Sequence, residues 1–385
     1  MEFDLEPEQE EFRRTVRAFA EEVVRPRADE ADREERFPLD VVRAMGELGL
    51  FGIPFPEDYG GQGADLLTFC LAVEELGRVD QSVGITLAAA VGLGGMPILR
   101  FGTEEQRRAY LAPLCRGEGL AAFALTEPEA GSDAAAIRTS ARFEGGAWVL
   151  EGAKAFITNA GTPLTRVLVA AAVTDPGRGS HGISQFLVPA DAPGLAVGPP
   201  YRKLGWRSSD TREVSFQGCR IPGDALLGER GRGLAQALEI LDGGRITTAA
   251  LAVGLAQACL DAALAHAKER RAFGRPIGAF EGVQFKLADM EVAVQTARLA
   301  TYRAAWLRDR GRPYKAAAAV AKLHASEAAV RCARDAVQVF GGAGFIEESP
   351  VARYYRDAKI LEIGEGTSEI QRLVIARELG LPEVV

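Results

Sequence analysis

The 385-residue chain is predicted to be a multidomain α+β protein: an N-terminal helical domain (1–119), a middle β-barrel (120–227) and a C-terminal four-helix bundle (228–385). Three observations predict this. Apolar residues recur at helical spacing as far as about Gly119, beginning with Phe12, Val16, Phe19, Ala20 and Val23. The period then shortens to strand-like alternation, as over 139–158. Past Gly231 the helical period returns, in runs long enough for antiparallel helices joined by short breaks.

In the first segment, helices are expected over 40–50, 66–77, 82–101 and 103–114, punctuated by Pro38, Gly49, Gly52, Pro54 and Pro56. Thr103 followed by Gln106 reads as a capping box. In the second, Gly145-Gly146 reads as a hairpin turn inside 139–158. Further strands are expected over 167–173, 183–188 and 212–216, with Pro189, Pro193, Pro199 and Pro200 between them. Short strands and many turns favour a small barrel or sandwich over a doubly wound sheet. In the third, helices are expected over 234–269, 279–310, 315–340, 350–360 and 367–379, with a break at Gly274-Arg275-Pro276. No exposed apolar stripe from which an assembly could be derived stands out.

Composition narrows the function. Apolar residues make up 47% and charged residues 25%, the balance of a globular chain. The net charge of −8 argues against a nucleic-acid binder. No run of 18 consecutive apolar residues occurs, so no integral membrane association is expected. The acidic start, Met1 to Asp4, has no signal-peptide core. Five scattered cysteines, Cys70, Cys115, Cys219, Cys259 and Cys332, form no CxxC and suit a reducing, cytoplasmic compartment. Three isolated histidines, His181, His266 and His324, make a metal site improbable and leave proton chemistry to carboxylates.

No dinucleotide or P-loop fingerprint is present. Glu365 stands out, in Ile363-Gly364-Glu365-Gly366-Thr367-Ser368. Its flanking glycines allow close backbone approach to a ligand, and Thr367 or Ser368 can cap the next helix. Such a carboxylate is either a solvated group in an ordinary turn or one projecting into a cavity. Desolvation in a cavity would raise its pKa and suit it to abstract a weakly acidic proton. Thr126-Glu127-Pro128 with Gly131-Ser132-Asp133 is either a polar turn that binds a ring or phosphate, or a loop leading into the strands. Arg270-Arg271 and Arg275 either clamp phosphates or compensate a helix end.

Taken in order, these pieces resemble the acyl-CoA dehydrogenase family across essentially the whole chain. The blocks are Phe123-Ala124-Leu125-Thr126-Glu127-Pro128 with Ala130-Gly131-Ser132-Asp133; Lys154-Ala155-Phe156-Ile157-Thr158-Asn159; Glu269-Arg270 with Phe273-Gly274-Arg275-Pro276-Ile277; Gln338 to Gly344; and Tyr355-Arg356-Asp357-Ala358-Lys359 leading into Gly364-Glu365-Gly366-Thr367-Ser368-Glu369. The resemblance implies one FAD per subunit, a homotetramer, an acyl-CoA substrate and an electron-transfer flavoprotein as partner. It implies α,β-dehydrogenation to the trans-2-enoyl-CoA, with Glu365 taking the α proton while the β hydrogen leaves as hydride to the flavin. Some members carry the base just before the arginine matched by Arg245; here that position is Gly244.

The resemblance implies cofactor contacts at Phe123, Leu125, Thr126, Gly131, Ser132, Phe156, Ile157, Thr158, Arg270, Phe273, Gln284, Gln338, Gly341, Gly342, Thr367 and Glu369, some of them from a neighbouring subunit. It implies substrate contacts at Ser132, Asp242, Arg245 and Gly366. Two departures stand out: Phe156 where many members have Trp, and Gly364 where many have Tyr. The second implies room beside the acyl α or β carbon and tolerance of α-branched as well as straight chains, while the Arg245 neighbourhood and the 238–255 segment resemble short-chain members and favour short or medium chains. The uncharged 84–95 stretch, expected to line the acyl tail, disfavours a dicarboxylic substrate. The alternatives are an acyl-CoA oxidase or related flavin oxidase or monooxygenase on the same fold, and a non-catalytic CoA-ester-binding protein.

Overall fold

The computed structural model describes residues 4–382; the acidic start at Met1 to Phe3 lies outside them. Helices come first: α1 (Pro7–Phe19), α2 (Arg25–Arg33), α3 (Leu39–Glu47), α4 (Leu66–Val79), α5 (Gln81–Ala88), α6 (Met96–Phe101) and α7 (Glu104–Cys115). The cap read from the sequence forms: Thr103 Oγ1 accepts from the Gln106 N–H, and the Gln106 side chain accepts in return. The Asp65 and Asp80 side chains cap α4 and α5 by accepting from the Thr68 and Val83 N–H groups. A π-helical stretch, Ala89–Gly95, joins α5 to α6 without a break. Glycine is needed within it: a Cβ on Gly94 would lie 2.6 Å from Ala121. The helix therefore lies directly against the first strand.

Eight strands follow: β1 (Leu120–Ala124), β2 (Ser140–Glu144), β3 (Ala147–Thr158), β4 (Thr165–Val173), β5 (Ile183–Pro189), β6 (Leu195–Pro200), β7 (Thr211–Pro222) and β8 (Leu226–Leu227). They form one sheet in the order β6-β7-β3-β2-β4-β5-β8, with β1 branching from β4. β6 and β8 are its hydrogen-bonded edges, and its inner face wraps a core containing Trp148, Phe186 and Phe216. The β2–β3 hairpin turns at Gly145 and Gly146, both at positive φ, as a two-residue turn of this kind requires. The sequence reading left β6 among the connecting prolines. Pro199 and Pro200 are tolerated because β6 pairs with β7 alone.

The chain returns to helix in α8 (Gly233–Glu269), α9 (Glu281–Asp309), α10 (Lys315–Phe340), α11 (Pro350–Ala358) and α12 (Ser368–Glu378). The break expected at 274–276 is a small hairpin, β9 (Arg271–Ala272) with β10 (Arg275–Pro276). α8 packs against α10, α9 and α4, and α11 and α12 pack on α10. One apolar core runs from Val16 through Phe69 and Leu251 to Ala329, so the first and last helical segments share an interior.

Two helical stretches, Gln81–Phe101 and Gly233–Glu269, match a membrane span in length and apolar composition, although no uninterrupted run of 18 exists. Most of each apolar window is buried inside the protein, which makes them core helices. The apolar stripe not legible in the sequence is present on α9. Phe285, Val292, Leu299 and Trp306, spaced by seven residues, are all exposed.

α4 and α8 cross at backbone contact. A Cβ on Gly254 would lie 2.3 Å from the Glu74 carbonyl oxygen and 2.8 Å from the Arg78 nitrogen. Two buried carboxylates beside the crossing tie neighbouring helices to α4. Glu74 accepts from Arg298 Nε and the Tyr302 hydroxyl, both at 2.9 Å, and Glu75 accepts two bonds from Arg17. Gly254→Ala is expected to force this crossing apart and cost about 1–3 kcal/mol, read as a lower urea midpoint with the cooperativity unchanged.

Candidate active site

Glu365 sits in the short loop before α12, and the chain holds it in an unusual conformation. Glu365 and Gly366 are both left-handed, at φ 54° and 95°, which costs energy at the glutamate. Several contacts hold the loop. Thr367 Oγ1 caps α12 by accepting from the Ile370 N–H at 3.2 Å. The Gln371 amide donates to the carbonyls of Glu365 (3.3 Å) and Gly366 (2.9 Å). From α10, Lys322 Nζ donates to the same Gly366 carbonyl at 2.7 Å. Lys322 is fully buried, and burial pushes its pKa down to about 8.

The loop delivers the side chain against α8. Glu365 is half-buried as a residue, but its Oε2 is sealed from solvent and accepts no hydrogen bond. A Cβ on Gly244 would lie 2.2 Å from that oxygen and 3.1 Å from Leu93 Cδ2, so the carboxylate occupies the space a side chain at 244 would need. Burial raises the pKa of Glu365; Thr248, Lys322 and Arg245 pull it back less strongly. Arg245 is buried and ion-paired to Asp242 one turn earlier on α8. The solvated-turn reading of Glu365 is therefore not the arrangement observed. A cavity of about 480 Å³ lies beside Gly243 and Thr247, rimmed by Arg308, Arg312, Arg100 and Glu239. Glu365 is not in its lining.

Two other expected segments are locked side by side. The Ala155 N–H donates to the Thr126 carbonyl at 2.9 Å. Lys154 Nζ donates to the Leu125 carbonyl (3.1 Å) and to Glu127 Oε1 (2.8 Å). Glu127 also accepts from the Arg138 and Thr139 N–H groups. Burial pushes the Lys154 pKa down to about 8, with Glu127 opposing. Phe156 emerges from this lock at φ 60°, 65% exposed, tilted against Tyr201 at 5.4 Å between ring centroids. Phe123 is half-buried and Leu125 and Ile157 are buried, while Gly131 and Ser132 lie exposed on the turn after Thr126.

The remaining expected cofactor residues lie elsewhere. Arg270, Phe273 and Gln284 cluster around the β9–β10 hairpin, and Gln338, Gly341 and Gly342 at the end of α10. His266 stacks on Phe340 with centroids 4.1 Å apart, which places the C-terminal ends of α8 and α10 together. Along α8, Arg270 is 22 residues beyond Thr248, about 33 Å at helical rise. Phe273 at that end is 93% exposed and left-handed. Thr367 lies in the Glu365 loop as the cap of α12, and Glu369 is exposed on that helix's first turn.

Sequence reasoning missed Thr248, Lys322 and Gln371. For Lys322 a signal existed: it follows Ala318 by four and precedes Ala325 and Ala329 by three and seven, on the buried stripe of α10. Thr248 carried no signal, because only the return of the Glu365 loop brings a carboxylate to it.

Family models describing the acyl-CoA dehydrogenase N-terminal, middle and C-terminal domains match residues 6–118, 122–219 and 231–380. The chain belongs to the acyl-CoA dehydrogenase family. It is 50% identical to the probable acyl-CoA dehydrogenase YngJ of Bacillus subtilis, over 98% of this chain and all of that one. It is 45% identical to a short-chain-specific acyl-CoA dehydrogenase of Clostridium acetobutylicum, again over 98% of this chain and all of that one. The structure of butyryl-CoA dehydrogenase from Megasphaera elsdenii superposes with a TM-score of 0.96 at 41% identity, covering 98% of this chain and all of that one. The chain is thus an oxidoreductase of acyl-CoA dehydrogenases, flavoproteins whose cofactor is FAD.

The residues present fit that cofactor. The hydroxyls of Thr126 and Thr158, both half-buried, bond to nothing among the described residues, and Phe156 offers an exposed ring edge beside them. Among the described residues no group of three His, Cys, Asp or Glu side chains is placed to hold a metal ion.

Gly244→Ala tests the carboxylate's position. The added methyl should displace Glu365 and slow acyl-CoA-driven flavin reduction about 100-fold with flavin still bound, as followed by anaerobic stopped-flow absorbance.

Proposed function

We propose that the chain is an FAD-dependent dehydrogenase of short acyl-CoA thioesters, with Glu365 as the base. The observation that carries this reading is the sealed, unpartnered Glu365 Oε2 against Gly244. A carboxylate desolvated by burial and lacking a well-formed hydrogen bond is a stronger base than a solvated one. It is suited to removing the α proton of a thioester.

Glu365 contributes a second group. Its own backbone N–H donates to nothing among the described residues, so it is free to bind the thioester oxygen as negative charge develops there. The left-handed turn makes this geometry possible by presenting N–H and carboxylate from one residue. The 123–126 and 156–158 segments would hold the ring of FAD, which would supply the two-electron acceptor for the β hydrogen. Ser132, Asp242, Arg245 and Gly366 bind the substrate.

Gly364 supports short or branched acyl groups. A Cβ there would meet only the Ile360 carbonyl oxygen, at 3.5 Å, so open space lies where a larger side chain would stand. The separation of about 33 Å along α8 supports a cradle completed by a second subunit at Arg270, Phe273, Gln284 and Gln338. The exposed α9 stripe supports a homotetramer. An electron-transfer flavoprotein serves as the onward acceptor.

Anaerobic titration with butyryl-, octanoyl-, isobutyryl-, 2-methylbutyryl- and isovaleryl-CoA tests the reading. Short and branched thioesters should bleach the flavin, and Glu365→Gln should abolish bleaching by all five. Bound flavin that no thioester bleaches would sink the proposal, and rapid reoxidation by oxygen with product bound would identify an oxidase. A pH series provides a further check. Because the Glu365 pKa is raised, the base takes up its proton as pH falls while still above the usual carboxylate range. The acid limb of the flavin-reduction rate should therefore lie above pH 4.5, the ordinary value for a glutamate.

A further inference from the structure

Thr248 lies one helical turn after Gly244 on α8, so the two share the face that Glu365 meets. It is 2% exposed. Threonines buried in helices usually return their hydroxyl to their own backbone, and Thr247 on α8 and Thr301 on α9 do so. Thr247 donates to the Gly244 carbonyl at 2.9 Å and Thr301 to the Ala297 carbonyl at 2.8 Å. Thr248 does not: its Oγ1 is buried and makes no hydrogen bond, the same condition as Glu365 Oε2. The hydroxyl lies close enough to lower the carboxyl's pKa, but the pair stops short of a well-formed bond.

The other groups around the carboxylate are already engaged. From α10, Lys322 gives its ammonium to the Gly366 carbonyl. On α8, Arg245 is paired with Asp242. Glu362 and Glu369, on either side of the loop, act on Lys322, and Leu93 on the π-helical stretch is apolar. A carboxylate only accepts hydrogen bonds, a carboxylic acid also donates one, and a hydroxyl does both. Among these side chains, Thr248 is therefore the one suited to bond to Glu365 both before and after it takes a proton.

We propose that Thr248 is a positioning residue for Glu365: its hydroxyl donates to the carboxylate and then accepts from the acid once the substrate's proton has moved. The inference rests on Glu365 being the base.

The test uses the holoenzyme and three variants at position 248. Thr248→Val is isosteric and breaks no existing bond, Thr248→Ala is a second variant lacking the hydroxyl, and Thr248→Ser keeps it. Butyryl-CoA-driven flavin reduction is followed by anaerobic stopped-flow across pH, with Glu365→Gln in parallel. Without substrate, infrared titration follows the protonated carboxyl band, assigned by its loss in Glu365→Gln. In Thr248→Val and Thr248→Ala, both the acid limb and the infrared midpoint should move up by about one pH unit. That is about a tenfold slower rate below the limb. Thr248→Ser should keep both at the wild-type position. Wild-type limbs and midpoints in Val and Ala, with Glu365→Gln inactive, would overturn the role of Thr248 alone. A Glu365→Gln enzyme that still reduces its flavin would overturn the base assignment, and this inference with it.

Discussion

A carboxylate can be kept buried without a well-formed hydrogen bond only if something else fixes the backbone that carries it. In this chain that task falls to the Gly366 carbonyl. It accepts from Lys322 on α10 and from Gln371 on α12, so the loop before α12 cannot relax without stranding a buried ammonium. The left-handed Glu365, the exclusion of any side chain at 244 and the free N–H all depend on that fixation. The buried cation also tempers the rise in pKa that burial imposes on the carboxylate.

The same construction recurs at the strand ends. Lys154 is fully buried and spans from the Leu125 carbonyl to Glu127. A flexible polar chain is thereby turned into a brace between two segments that belong to one face. Isolated buried ion pairs add little to stability, but here each lysine fixes backbone carbonyls next to a functional surface.

Much of the fold was legible because its signals are local. The capping box at Thr103, the Gly145-Gly146 turn and the span of α10 follow from spacing and turn chemistry. β6 was not legible, because its prolines are excused by its edge position, which only the pairing with β7 reveals. The hairpin at 271–276 was hidden because two-residue strands have no period. At the site, Glu365 was legible from its glycines, whereas Thr248 and the contact with Gly244 were not. Those depend on a return of the chain across more than a hundred residues. The α9 stripe escaped for a different reason: seven-residue spacing on a helix reads as core until the packing shows that face to be bare.

The expected far cofactor residues, around Arg270 and Gln338, lie about 33 Å along α8 from the turn that Glu365 meets. Under the proposed assembly, each flavin cradle draws its ring contacts from one chain and its far contacts, around Phe273 and Gln338, from another. The two halves are then separable genetically. A chain damaged at 156–158 and a chain damaged at 270–273 are each inactive alone. When co-expressed, they can place their intact halves opposite one another and rebuild part of the working sites. Loss-of-function alleles would sort into two complementing groups, although a single polypeptide sequence encodes both.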